Sequence, residues 1–375
     1  MLVPLLPLAA ALLLEVVARL GTRVGGGTTV VLEVAADGTG EPIPFRLALV
    51  ALLGTWWTHL FGGSAGREGT AVQMGTALAD TIVHGLRRVI DIDEEARRRL
   101  VVAGIAGGFG GVFGTPVAGC VFALEVVVAR RLDTRAAIAA LAGAVTGDLV
   151  GDNVLHALGG AHGVYPTLTA LGLSPIVVAQ FAALGVVVGV VGIAFIEFMH
   201  AIKAFVRAWP PWRRGLVGGG FVVAIWALVP GAEPLVGISV DTLQAAAHGE
   251  VAVPWAFALK LALTAVTLGV GLVGGEVTPL FVIGATLGVV MAGPLGVAPE
   301  QAACAALAAM FGACATAPLA LLCMIVELCG AGEIGPQFVC VVTASAVVGG
   351  RSIYTRADRV SVEGGGDGRG SGNQG

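Results

Sequence analysis

Residues 62–75 read GGSAGREGTAVQMG, and residues 271–288 read GLVGGEVTPLFVIGATLG. Each is a glycine-rich break in an apolar chain, and each delivers one glutamate, Glu68 or Glu276, to the start of an apolar run. A second pair of stretches follows in the same order. Residues 107–126 read GGFGGVFGTPVAGCVFALEV and residues 310–330 read MFGACATAPLALLCMIVELCG. Thr115-Pro116 corresponds to Ala317-Pro318, and Leu124-Glu125 to Val326-Glu327. The repeated order, small-residue break, proline and apolar stretch ending in glutamate, is what chance likeness between glycine-rich segments lacks. Interrupted helices in two halves place a substrate site where the halves meet. The first half is expected over about residues 1–160 and the second over about 168–360.

Around these stretches the chain is built for lipid. Of 375 residues, 56% are hydrophobic and only 12% charged, too few to wet the surface of a soluble domain of this size. Apolar blocks recur at roughly 1–20, 45–61, 70–90, 100–129, 132–157, 168–206, 215–230, 251–273, 279–297, 302–329 and 335–350, several near the ~20 residues a spanning helix needs. Blocks as long as 100–129 have room for two broken helices. The 58 glycines have no collagen-like period; in a membrane they permit close helix packing and backbone breaks beside a cavity. The expected fold is therefore an all-α membrane bundle of broken and tilted helices. Residues 361–375 form a polar glycine-rich tail expected to be disordered.

The charged and reactive residues exclude several functions. A net charge of −4 without a basic stripe argues against a nucleic-acid partner. The arginine runs 87–88, 97–99, 130–131 and 213–214 fit loops and helix ends facing the cytoplasm, where they solubilise and orient the chain. The six cysteines form no CxxC pair and read as packing residues. The six histidines offer no HExxH or close pair, so no metal, cofactor or enzymatic cluster is assigned. His59 reads as a packed or hydrogen-bonded helix residue. Asp148 and Asp152 read as part of a polar loop, with a cation-attracting vestibule as the other option. Residues 1–20 lack the basic start of a signal peptide.

Glu68 stands where the helix dipole and free N–H groups favour an anion. That end can hold a halide, or the Glu68 carboxylate itself; protonated, the side chain can swing away. One residue then links proton movement to anion movement. The simpler role is a helix cap paired with Arg67, but carboxylates inside membranes are usually functional. Glu276 occupies the corresponding break, followed by Thr278 and by Pro279 in a first helical turn. It reads as a second proton-carrying or ion-orienting carboxylate, or as a cap. Glu125 and Glu327 read as acceptors for helix-end donors. Tyr354, one of two tyrosines, offers a phenol to an anion or an anchor to the membrane interface.

The sequence resembles the CLC family of chloride channels and proton-coupled exchangers through GREGT, the 107–126 block, GGEVTPLFVIGATLG and GGRSIY at 349–354. These elements span nearly the whole hydrophobic part. Thr70 after GREG, and GGEVTP at the second break, resemble the branch that exchanges fluoride for protons. The resemblance implies two inverted-topology repeats, a homodimer with one ion path per subunit, and a bacterial inner-membrane location. It implies that Glu68 is the external gating glutamate, that Tyr354 faces the anion path, and that Glu276 and Thr278 mark the fluoride branch. The first anion-binding loop corresponds to Gly27–Val31, where Thr28 and Thr29 stand in place of the usual asparagine or methionine. Val126 takes the position after Glu125 where many chloride exchangers carry an internal glutamate. The family has another helix before the one over residues 1–20, so the sequence is expected either to begin inside the transport domain or to be that of a shortened member. The C-terminal nucleotide-binding regulatory domains of some relatives are not expected from this sequence.

The expected proton-coupling gates are thus Glu68 and Glu276, and the expected anion contacts Thr28, Thr29, Gly66, Arg67, Gly69, Val277, Thr278 and Tyr354. Fluoride/proton antiport is the leading expectation. A chloride/proton exchanger or passive chloride channel on the same fold is the second, and a shortened, non-transporting membrane protein the third.

Overall fold

The computed structural model describes residues 1–21, 27–37, 41–127, 134–330 and 334–354. The tail 361–375 and the Arg130-Arg131 run lie outside them. The chain folds into helices α1 (Leu6–Arg19), α2 (Thr28–Asp37), α3 (Phe45–Leu60), α4 (Glu68–Leu86), α5 (Glu94–Phe113), α6 (Pro116–Val126) and α7 (Ala137–Ala157). The second half supplies α8 (Pro175–Val206), α9 (Pro211–Leu228), α10 (Val240–Ala247), α11 (Ala256–Gly269), α12 (Val277–Leu295), α13 (Pro299–Cys314), α14 (Pro318–Cys329) and α15 (Gly335–Val348). No β-strand occurs among the described residues.

The apolar blocks 100–129 and 302–329 each break in two, and at equivalent places. Gly114 ends α5 in the left-handed conformation (φ 69°), and Thr316 does so after α13 (φ 59°). Pro116 and Pro318 then start the next helices, where a missing N–H costs nothing. The packing repeats as well. Helix α5 lies against α4, α6 and α7, while α13 lies against α12, α14 and α15. Small residues set these distances: a Cβ on Gly147 would lie 2.3 Å from the Gly107 carbonyl, and one on Gly288 2.4 Å from the Ala302 carbonyl. Helices α6 and α14 then meet across the two halves. Glu327 accepts from Val117 N (2.9 Å) and Ala118 N (2.7 Å), while Glu125 accepts from Leu319 N (3.2 Å) and Ala320 N (3.0 Å). Each carboxylate thus caps the helix that carries the other, a reciprocity that a two-fold relation between the halves produces. Both glutamates fill the capping role expected from the sequence.

Among the described residues, Thr134–Ala157, Pro175–Val206 and Val277–Leu295 are long and apolar enough to cross a membrane, and several others are shorter apolar helices. Large apolar side chains on α1, α7 and α8 face outward, among them Leu8, Ile138, Ile176 and Phe205. That surface suits lipid and no aqueous solvent. By contrast α12 is buried through 72% of its apolar window and forms the middle of the bundle.

Two expectations are corrected. Asp148 and Asp152 lie within helix α7, not in a loop, and Asp152 sits one turn from His156 at 3.4 Å. The surrounding alanine and aliphatic residues carry the helix through them, and their side chains remain at its surface. Arg97 is in the first turns of α5, as a helix-end arginine should be, yet it does not face solvent. It is 1% exposed and grips Asp80 of α4 through Nε (2.7 Å) and Nη2 (3.0 Å), while the Ile43 amide donates to Asp80 Oδ2 (2.7 Å).

Candidate functional site

The two glycine-rich breaks meet. Gly66 N donates to Gly275 O (2.6 Å) and Gly275 N donates to Gly66 O (2.8 Å), a two-bond antiparallel bridge joining segments from opposite halves. Only glycine fits. A Cβ on Gly66 would lie 2.6 Å from Glu68 Oε2, and one on Gly275 would lie 2.8 Å from Gly69 N. Hydroxyls and a ring hold the first break from outside. Ser64 N reaches Thr267 Oγ1 (3.1 Å), Ser64 Oγ meets Thr264 Oγ1 (2.8 Å), and His59 Nε2 meets the Ala65 carbonyl oxygen (2.9 Å). His59 is therefore the hydrogen-bonded helix residue that its position suggested.

Beyond the bridge, α4 and α12 begin. Glu68 is the first residue of α4 and is 2% exposed. Its carboxylate crosses to the other half, where the Thr278 hydroxyl donates to Oε1 and the Thr278 amide lies 3.3 Å from Oε2. The Arg67 amide adds a contact of 3.1 Å to Oε2. The Arg67 guanidinium stays largely in solvent, its Nε 3.9 Å from Oε1, so backbone and hydroxyl donors rather than an ion pair hold this carboxylate. These donors are of the kind a small anion needs when it leaves water.

Glu276 precedes the first turn of α12, and its side chain turns to a different space. It lines a cavity of about 210 Å³ together with Thr28 and Thr29 at the start of α2, Gln73 of α4, Lys203 of α8, and Tyr354. The Tyr354 phenol adjoins the Glu276 carboxyl, whose Oε1 has no hydrogen-bond partner among the described residues. Tyr354 is positioned by Ile353, whose amide donates to the Cys314 carbonyl at the end of α13 (3.0 Å). A narrow pocket lined by Thr28, Gly69, Val277 and Tyr354 adjoins these residues. The Glu276 carboxylate also lies against Gly69, where a Cβ would be 3.7 Å from Oε2.

The residues singled out from sequence thus fall into two adjacent groups. Gly66, Arg67, Glu68 and Thr278 surround the carboxylate at the bridge. Thr28, Thr29, Glu276 and Tyr354 line the cavity, and Gly69 and Val277 lie between the groups. Sequence reasoning missed two cavity residues. Gln73 lies in the apolar part of α4, and its Nε2 donates to Thr28 Oγ1 (3.0 Å). Lys203 lies near the end of the longest apolar helix. A lone polar or charged group in such a run was the available signal.

A family model described as "Voltage gated chloride channel" matches residues 8–349. A protein described as "Chloride/fluoride channel protein" from Pseudomonas syringae pv. tomato (strain ATCC BAA-871 / DC3000) is 36% identical over 348 residues, covering 91% of this chain and 75% of its own length. Among solved structures, a CLC-type fluoride/proton antiporter superposes with a TM-score of 0.86 at 31% identity, over 94% of this chain and 87% of that one. A slow cyanobacterial Cl−/H+ antiporter superposes at 0.77 and 23% identity, over 94% and 85%, a likeness of fold alone. This chain is a multi-pass membrane protein belonging to the voltage-gated chloride channel family.

Proposed function

We propose that the protein is an anion/proton exchanger and that fluoride is the anion it exports. The observation that carries this reading is the position of Glu68. Its carboxylate occupies the donor set of Thr278 and Arg67 at the meeting of two broken helices. An ionised Glu68 fills that set. A protonated Glu68 needs it less and yields it to a halide, so proton uptake and anion entry alternate. Fluoride, small and strongly hydrated, leaves water only for several short hydrogen bonds. The hydroxyls of Thr278, Thr28, Thr29 and Tyr354, with the amides of Gly69 and Val277 in the breaks, are the donors assigned to it. Glu276 is the second carboxylate on the route. The solved fluoride/proton antiporter of similar fold supports this choice of anion. The same reading makes the chain one transport domain, a homodimer with one path per subunit, in a bacterial inner membrane.

Chloride/proton exchange is the second reading, favoured by the fold shared with the chloride/proton antiporter. One experiment separates them. Purified protein is reconstituted in vesicles loaded with fluoride or chloride, and anion efflux and internal pH are followed together. Fluoride efflux accompanied by proton uptake is expected. Proton movement driven by chloride but not fluoride would give the chloride reading. Anion efflux without protons would make the protein a passive channel.

A further inference from the structure

Helix α8 is apolar almost throughout, and beyond its histidine it carries two ionisable side chains, Glu197 and Lys203. Glu197 has an evident partner, because Arg351 Nε lies 3.1 Å from its carboxylate. Lys203 has neither a hydrogen bond nor an ion pair among the described residues. A lysine near a helix C-terminus ordinarily bonds the last carbonyls or extends toward the membrane surface. This one bonds no carbonyl; its exposed side chain opens onto a cavity. It lines the cavity that also holds Glu276, Tyr354, Thr28 and Thr29.

That placement answers an electrostatic difficulty. A halide entering a cavity that contains an ionised glutamate is repelled. A fixed ammonium in the same space offsets the carboxylate and favours the incoming anion. Gln73 makes the arrangement more useful. Its amide nitrogen donates to Thr28 Oγ1, so the Thr28 hydroxyl keeps its own proton to give elsewhere. We infer that Lys203 is the anion-recruiting group of this pathway, holding a halide in the cavity beside the Thr28 and Tyr354 hydroxyls before it reaches the Gly66–Gly275 bridge. This rests on the anion-transport reading above and assigns its cavity a cation that neither the paired motifs nor the family resemblance supplied.

The test is halide binding to purified protein by titration calorimetry, with fluoride and chloride each used as titrant, on K203M, K203Q and K203R. Binding is read without transport, so the result does not depend on proton coupling. Loss of one positive charge in K203M or K203Q is expected to raise the halide Kd by about tenfold, or about 1.4 kcal/mol. K203R, which keeps the charge, is expected to stay within about threefold of the parent protein. In vesicles the same loss is expected to fall on KM, with kcat and protons per anion unchanged. An unchanged Kd in both neutral variants overturns the assignment, as does K203R as weak as K203M. Tight, Lys203-dependent halide binding in a protein whose vesicles move no anion would sink the exchanger reading and leave Lys203 as a halide ligand.

Discussion

Thr278 donates both its backbone amide and its hydroxyl to the carboxylate of Glu68, a residue 210 positions earlier in the chain. Two helix starts from opposite halves are joined at one acid. The pair is buried, with Glu68 2% and Thr278 3% exposed, so neither can exchange its partner for bulk water without a movement of the side chain. The donors that hold the acid are the donors an anion would require, and removal of either partner separates their roles.

Replacing the threonine tests the donor. A hydrogen bond to a charged acceptor contributes about 1.5–3 kcal/mol, so Thr278→Val is expected to weaken halide binding by tenfold or more. Thr278→Ser keeps the hydroxyl and is expected to bind within about threefold of the parent protein. Titration calorimetry reads both, and equal loss in the two variants would remove the hydroxyl from the anion site.

Replacing the acid tests the coupling. Glu68→Gln retains an oxygen for the Thr278 hydroxyl but cannot release a proton near neutral pH. Anion-driven proton uptake into vesicles should fall to the level of protein-free controls, while the folded protein elutes normally from a sizing column. Proton uptake persisting at the parent rate in both Glu68→Gln and Glu68→Ala would take Glu68 out of the proton route.

Replacing the reciprocal caps tests stability apart from transport. Glu327→Ala leaves the Val117 and Ala118 amides without their acceptor, at a cost of about 2 kcal/mol. Glu125→Ala exposes Leu319 and Ala320 to a similar loss. Both should lower the thermal unfolding temperature in detergent. Neither should change the halide Kd, because the caps are on α6 and α14 and outside the cavity lining.

Two glycines separate packing from helix propensity. Gly288→Ala puts a methyl group 2.4 Å from the Ala302 carbonyl and forces α12 from α13, an overpacking cost of about 1–3 kcal/mol. Gly220 in α9 faces open space, with nothing beyond its own helix within 4 Å of where a Cβ would stand, so Gly220→Ala should be neutral or stabilising by up to about 1 kcal/mol. Thermal unfolding of the two variants side by side is the measurement.

The chain's own order makes the repeat readable. Glycine and proline mark the places where a helix must stop in lipid, so GGSAGREG, GGEVTP, Thr115-Pro116 and Ala317-Pro318 signal the breaks without knowledge of any contact. The capping roles of Glu125 and Glu327 follow because an acid ending an apolar stretch must find donors. Lys203 and Gln73 are not readable in the same way. Each lies inside an apolar run, and sequence position does not say whether such a side chain faces lipid, a neighbouring helix or a cavity. Asp148 and Asp152 mislead for the complementary reason. Their polarity suggests a loop, while local helix-forming neighbours continue α7 through them.

By itself the sequence determined that this protein is a bundle for lipid, broken at matching points in its two halves, with an acid at each glycine-rich break. Those facts are local, since composition sets the solvent and glycine and proline set where helices end. Tertiary structure decided which partner each acid took. Glu68 reaches Thr278 across the bridge, whereas Glu276 turns to Tyr354 and to the cavity of Lys203. Such pairings depend on the rotation and approach of helices from opposite halves, and close packing through glycine fixes both.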